Sequence, residues 1–177
     1  MRLLQSVLPT LRHPKKPPQK FVAHLLQLLR MLPGHATFRT LSRYSSYHER
    51  TLARWYARDF DFVSLNKAAI TAVIPPGHAQ ALVIDASFVS KSGKKTSGLD
   101  RFWTGSHSRT ETGLAISALA WLDITDNCAY GLSVAPTPSI GEATEPEATR
   151  IDVYLEHLPH VVSAQHLGHL RYVLTDG

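Results

Sequence analysis

The cluster Ile74-Pro75-Pro76-Gly77 constrains this chain more than any other feature. Two prolines remove backbone donors and the glycine loosens φ, so neither a helix nor a strand runs through it. The hydrophobic period changes across it. Upstream, apolar residues recur at helical spacing; downstream they form short runs of strand length. A chain of 177 residues has room for one ordinary domain or two small ones. The break predicts two: a helical region over residues 1–75 and an α/β region over residues 76–177.

Charge divides in a similar way. Residues 1–66 hold 11 of the 19 Lys and Arg but 3 of the 14 Asp and Glu, and the remainder is net acidic. A basic half points to a polyanion, most often nucleic acid; a solvated helical surface would give the same count. The apolar fraction of 44% is enough for a core. The single cysteine, Cys128, has no internal partner, which fits a reducing compartment, and its default place is in the interior. No apolar run approaches the roughly 18 residues of a membrane span. Arg12-His13-Pro14-Lys15-Lys16-Pro17-Pro18 stands where a signal peptide would carry a small-residue cleavage site.

In the first region, residues 19–32 place Phe21, Val22, Leu25, Leu26, Leu28, Leu29 and Leu32 on one broad face, and Pro33-Gly34 ends the helix. A short helix is expected over residues 37–43. Ser46-Tyr47-His48-Glu49 has the capping-box pattern and predicts a further helix to about Arg58, with Leu52, Trp55 and Tyr56 for a core. Arg50, Arg54 and Arg58 recur every fourth residue and so share a face. With a turn at Tyr44-Ser45-Ser46, this pair of helices has the outline of a helix-turn-helix that offers those arginines to DNA. A plain solvated face carries the same stripe.

The second region reads as strands over residues 81–89, 114–124 and 128–134, a helix over residues 146–158 and a strand over residues 170–177. Thr125-Asp126-Asn127 joins the second and third strands as a hairpin. The helix returns the chain so that the last strand lies parallel to the first, a crossover that is normally right-handed. The order β-β-β-α-β is that of the first part of a ribonuclease-H-like fold. It makes the first and last strands neighbours and lets Asp85 and Asp176 approach each other. A carboxylate in an apolar strand is costly unless paired, hydrogen-bonded or bound to a cation. Oxygen-only ligands suit Mg²⁺ or Mn²⁺, and such a site supports phosphoryl transfer. Equally, Asp85 can cap a turn and Asp176 can sit in a strand-end turn with Gly177.

Several stretches carry a family resemblance. Leu82-Val83-Ile84-Asp85-Ala86-Ser87-Phe88-Val89-Ser90-Lys91-Ser92-Gly93-Lys94-Lys95 resembles the first-aspartate block of the DDE transposases of bacterial insertion sequences. Phe102-Trp103-Thr104-Gly105, Ala129-Tyr130-Gly131-Leu132-Ser133-Val134 and Val173-Leu174-Thr175-Asp176-Gly177 resemble blocks that follow in the same order. Arg39-Thr40-Leu41-Ser42-Arg43-Tyr44-Ser45 and Thr51-Leu52-Ala53-Arg54-Trp55 resemble the family's DNA-binding region. The resemblance implies a ribonuclease-H-like domain that cuts and joins transposon ends with Mg²⁺ held by two aspartates, here Asp85 and Asp176, and a glutamate. It further implies DNA contacts from Arg39, Arg43, Arg50, Arg54 and Arg58, and a DNA-associated location in the bacterial cytoplasm. The family's glutamate lies downstream of the second aspartate. Glu142, Glu145, Glu147 and Glu156 all precede Asp176, so the chain is expected to be a truncated piece, inactive alone, that self-associates or pairs with a full-length transposase.

Two other functions share these features: a non-catalytic protein competing for transposon ends, and another ribonuclease-H-like nuclease such as a junction resolvase. Lys91, Lys94 and Lys95 sit in a loop after the first strand, where they can meet phosphates or simply be solvated. His107 and Arg109 read as surface residues. His157, His160, His166 and His169 lack the cysteine partners of a structural zinc site. Trp55, Trp103 and Trp121 read as packing residues rather than base-stacking platforms.

Overall fold

The computed structural model describes residues 2–11, 16–92, 98–104, 108–137 and 150–175. They fall into two compact units, Met1–Val73 and Ile74–Gly177.

The first unit is helical: α1 (Arg2–Val7), a 3₁₀ turn (Leu8–Thr10), α2 (Lys16–Met31), α3 (Phe38–Arg43), α4 (Glu49–Tyr56) and α5 (Phe62–Thr71). Helix α2 admits Pro17 and Pro18 because its first turn has no partner for their missing amides. Its apolar face supplies Phe21, Val22, Leu25 and Leu28 to a core completed by Leu41, Leu52 and Leu65. Trp55 stacks on Phe21 at 5.6 Å.

Two features of this unit differ from expectation. The capping box belongs to α3, where Thr37 and Thr40 cap each other, and not to Ser46. Helix α4 instead starts after His48, whose ring accepts the Arg50 amide. The cause is the turn before it. Ser45 Oγ accepts from the Tyr47 amide and bonds His24 at 2.8 Å, while the Tyr47 ring packs edge-on against Phe21. Those contacts hold residues 45–47 out of the helix. The other feature is α5, for which sequence spacing gave no expectation. Asp61 caps it by accepting from the Ser64 amide at 2.8 Å.

The second unit is an α/β unit with a five-stranded, mostly antiparallel sheet: β1 (Gln80–Ser90), β2 (Asp100–Thr104), β3 (Arg109–Asp123), β4 (Cys128–Thr137) and β5 (Val173–Thr175), with α6 (Arg150–Ala164) between β4 and β5. Strand β3 pairs antiparallel with β1, β2 and β4. Strand β5 adds to β1 in parallel, with Ile84 opposite Thr175. One bulge lies in β4, where Leu132 is the extra residue between Ser133, opposite Leu119, and Gly131, opposite Ala120.

Several element boundaries need correction, among them the last strand, expected from residue 170 and beginning at Val173. Strand β2 was not expected, and β3 begins at Arg109 rather than 114. Both follow from one fact: residues 109–112 carry no apolar alternation and are strand because β2 pairs with them. Helix α6 runs on past Pro159 to Ala164. Buried His157 and Val161 flank the proline and hold the helix to the sheet, which outweighs the lost backbone bond. The expected helix start at Pro146 lies outside the described residues. Among the described residues, no helix is long and apolar enough to cross a membrane.

Gly113 sits where β3 pairs with both β1 and β2. A Cβ there would collide with the Val89 carbonyl oxygen and the Phe88 ring. Gly113→Ala is expected to lower the unfolding free energy by about 1–3 kcal/mol, the usual cost of overpacking. A denaturant midpoint equal to wild type would contradict this.

Candidate active site and nucleic-acid interface

Strand β1 is buried at Ala81 and Leu82 and emerges into solvent from Asp85 onward. Asp85 is therefore exposed. The expectation that a buried carboxylate demands a cation does not hold, because water already solvates this one. What distinguishes Asp85 is its neighbourhood. Across β3 it faces Ala118. On its other side, the parallel register with β5 runs through Leu82↔Val173 and Val83↔Leu174 to Ile84↔Thr175, one residue short of Asp85. Asp176, the next residue in the chain, lies outside the described residues. A cleft of about 540 Å³ opens here, bordered by Ile84, Asp85 and Thr175 from the strands and by Tyr154, Leu155 and Leu158 from α6.

The arginines of the first unit fall into two groups. Arg39 and Arg43 are exposed on α3 and border a hollow of about 350 Å³ with Thr37 and Thr40. Arg50 and Arg54 are exposed on α4, one turn apart. Arg58 does not extend that stripe. The helix ends at Tyr56, and the Arg58 guanidinium lies over the Trp55 ring, 4.2 Å from its centroid.

Lys91 is exposed just beyond β1, while Lys94, Lys95 and His107 lie outside the described residues. Arg109 pairs with Glu111 at 2.6 Å. Two further expectations are overturned. Cys128 is exposed, because it opens β4 next to the hairpin turn. Trp103 is 68% exposed, because it shares its strand with Phe102, which takes the buried side. Trp121 is indeed a packing residue, buried and donating through Nε1 to Gln80 Oε1 at 2.8 Å.

Two histidine sites escaped the sequence reading. His157 is buried between α6 and the sheet, with Nδ1 bonded to Ser117 Oγ and Nε2 to Ser133 Oγ, each at 2.9 Å. One ring nitrogen donates and the other accepts. Burial, with a smaller contribution from His160, pushes the His157 pKa down. Its place on the Tyr154, Leu158 and Val161 side of α6 was the available signal, but the serines that receive it are remote in sequence. The second site joins His78 to Asp123 at 2.9 Å, with Asp126 at 3.9 Å. Among the described residues, these three could share a cation. The Asp123 carboxylate is already engaged, accepting from His78 and from the Thr125 and Asp126 amides. Burial pushes its pKa up, but the His78 bond and the two amides outweigh burial and hold it below the usual value. Asp123 pairs with Gln80, five residues from Asp85 and so about 16 Å away along the strand. It ties the hairpin turn to the segment before β1 and is separate from the Asp85 cleft.

A family model described as DDE superfamily endonuclease matches residues 48–139, more than half of the chain and a span that includes Asp85. The chain belongs to this family. No curated protein matches it. Endonucleases of this superfamily act on DNA and depend on divalent metal ions.

His157 titrates below the ordinary histidine value of 6.5. Its contribution is therefore full above that pH and is lost as pH falls through the depressed value. Melting temperature is expected to fall between pH 7 and pH 5, and to fall less in His157→Gln, which keeps hydrogen-bonding groups without the titration. Parallel curves for the two proteins would assign the loss to other histidines.

Proposed function

We propose that this chain is the DNA-binding and strand-cleaving part of an insertion-sequence transposase, with a ribonuclease-H-like domain over residues 76–177. The observation that carries the reading is the parallel β1–β5 register, which ends at Ile84↔Thr175. The residue that follows each of these in the sequence is an aspartate, Asp85 after Ile84 and Asp176 after Thr175. Support for the fold comes from the strand order β4-β3-β1-β5 with α6 as the crossover. Asp85 and Asp176 would hold Mg²⁺ or Mn²⁺, since the donors are oxygens only. The bound metal would activate water or a 3′-hydroxyl and stabilise the leaving oxygen of a phosphodiester. Asp85 fits this role because its carboxylate is open to solvent at the edge of a cleft.

Residues 1–75 would bind transposon ends. In this reading α3 and α4 act as a helix-turn-helix, with Arg50 and Arg54 toward the DNA and Arg39 and Arg43 beside them. Lys91, Lys94 and Lys95, which follow β1 in the sequence, would meet phosphates of the bound DNA. Pairing with another transposase chain belongs to the same reading.

Calorimetric Mn²⁺ titration tests the metal claim. Wild type is expected to bind, Asp85→Ala with Asp176→Ala to lose binding, and His78→Ala with Asp126→Ala to keep it. Identical titrations for wild type and the Asp85/Asp176 variant would sink the claim. The DNA claim is tested separately. Arg50→Glu with Arg54→Glu should abolish binding to a transposon-end duplex, and neutral alanine versions should reduce the salt slope by about 0.9 per phosphate contact removed. Unchanged binding in the charge-reversed protein would rule out this face.

A further inference from the structure

Strand β3 outruns β1. Its pairing with β1 ends at Gly113, with one more bond from the Lys91 amide to Thr112. Its first residues, from Arg109, pair with β2. The result is a ribbon whose two sides differ. Phe102 turns to the buried side, near Phe88 at 5.7 Å. Trp103 turns the other way and is 68% exposed. Arg101, two residues earlier and therefore on the same side, is exposed as well. Their cross-strand partners are Thr112 and Thr110, both polar and exposed.

An indole in this setting is unlike a protein-binding hot spot, which sits at the centre of an apolar patch. Here one aromatic face stands among hydroxyls and cations. Charge points the same way. Residues 67–177 are net acidic, yet residues 86–111 hold five Lys and Arg against Asp100 and Glu111, the latter paired with Arg109. A polyanion with a free aromatic face satisfies both features, and in DNA that means an unpaired base, because a duplex hides its base faces in the stack.

We propose that the β2–β3 ribbon docks single-stranded DNA, with an unpaired base stacked on Trp103 and flanking phosphates neutralised by Arg101 and Lys91. Asp85 faces Ala118 and Trp103 faces Thr110, eight residues apart on β3 or roughly 26 Å. The docked nucleotide thus lies well away from the phosphate that Asp85 would serve. The proposal rests on reading the chain as a DNA-processing endonuclease, but not on a metal at Asp85.

The test is intrinsic tryptophan fluorescence of the full chain, titrated with an oligothymidine and then with the same strand annealed to its complement. Trp121 is buried, while Trp55 is half-buried in the unit that would also meet DNA, so the Trp103 signal is the difference between the wild-type quench and that of Trp103→Ala. The single strand is expected to quench wild type. Trp103→Ala should lose that quench and bind about tenfold or more weakly; Trp103→Phe should keep most of the affinity, and Arg101→Ala should flatten the salt dependence. Wild-type affinity in Trp103→Ala, or equal quenching by the duplex, would overturn the proposal. Mn²⁺ titration of the same proteins separates it from the endonuclease reading. Normal metal binding with no Trp103 effect removes only the docking surface. A Trp103 effect without metal binding removes only the metal site.

Discussion

The second unit depends on the hydrogen-bond ladder of β3. Strands β1, β2 and β4 all pair with it, and β5 is attached through β1. Helix α6 is fastened to the same strand by His157, which reaches Ser117 on β3 and Ser133 on β4. A buried imidazole without partners would cost about 1–3 kcal/mol, so these two bonds decide whether the helix can lie flat on the sheet. The Asp85 cleft is therefore built indirectly. One wall is a strand held by β3, and the other is a helix held by β3 through a histidine.

This dependence explains which features were legible in the sequence. The apolar runs at 81–89 and 114–124 identified β1 and β3, and the Asp126-Asn127 turn located the hairpin, because those signals are local. The parallel neighbour of β1 followed from element order. Strand β2 and the start of β3 could not be read, since residues 109–112 lack alternation and become strand only by pairing with each other's partner. Asp85 was found for a reason the structure corrects: it stands where β1 leaves the core, not inside it. Trp103 and Cys128 were misassigned because burial on a strand depends on which side the pairing presents. His157 was set aside with three other histidines because its two serines sit 40 and 24 residues away.

In the first unit the core is helical; α2, legible from its spacing, supplies Phe21, Val22, Leu25 and Leu28, while Tyr56, expected in that core, is exposed. The end of α4 was not legible. Arg58 fits a four-residue stripe on paper, but its guanidinium is committed to the face of Trp55, which in turn stacks on Phe21. Arg58 stays exposed and charged, but it lies beyond the end of α4 and not on the helix face. The exposed cations of α3 and α4 are the two pairs Arg39/Arg43 and Arg50/Arg54.

The bulge at Leu132 has a consequence for how this unit can vary. Side chains on a strand change face with every residue, and the extra residue in β4 resets that alternation between Gly131 and Ser133. It lets Tyr130 oppose Trp121 while Ser133 still turns toward His157. Exchanging one side chain for another in this stretch changes a contact. Adding or deleting one residue would exchange the two faces of half the strand and detach the helix. Relatives that keep the α6 anchor should therefore keep the length of this segment more faithfully than its letters.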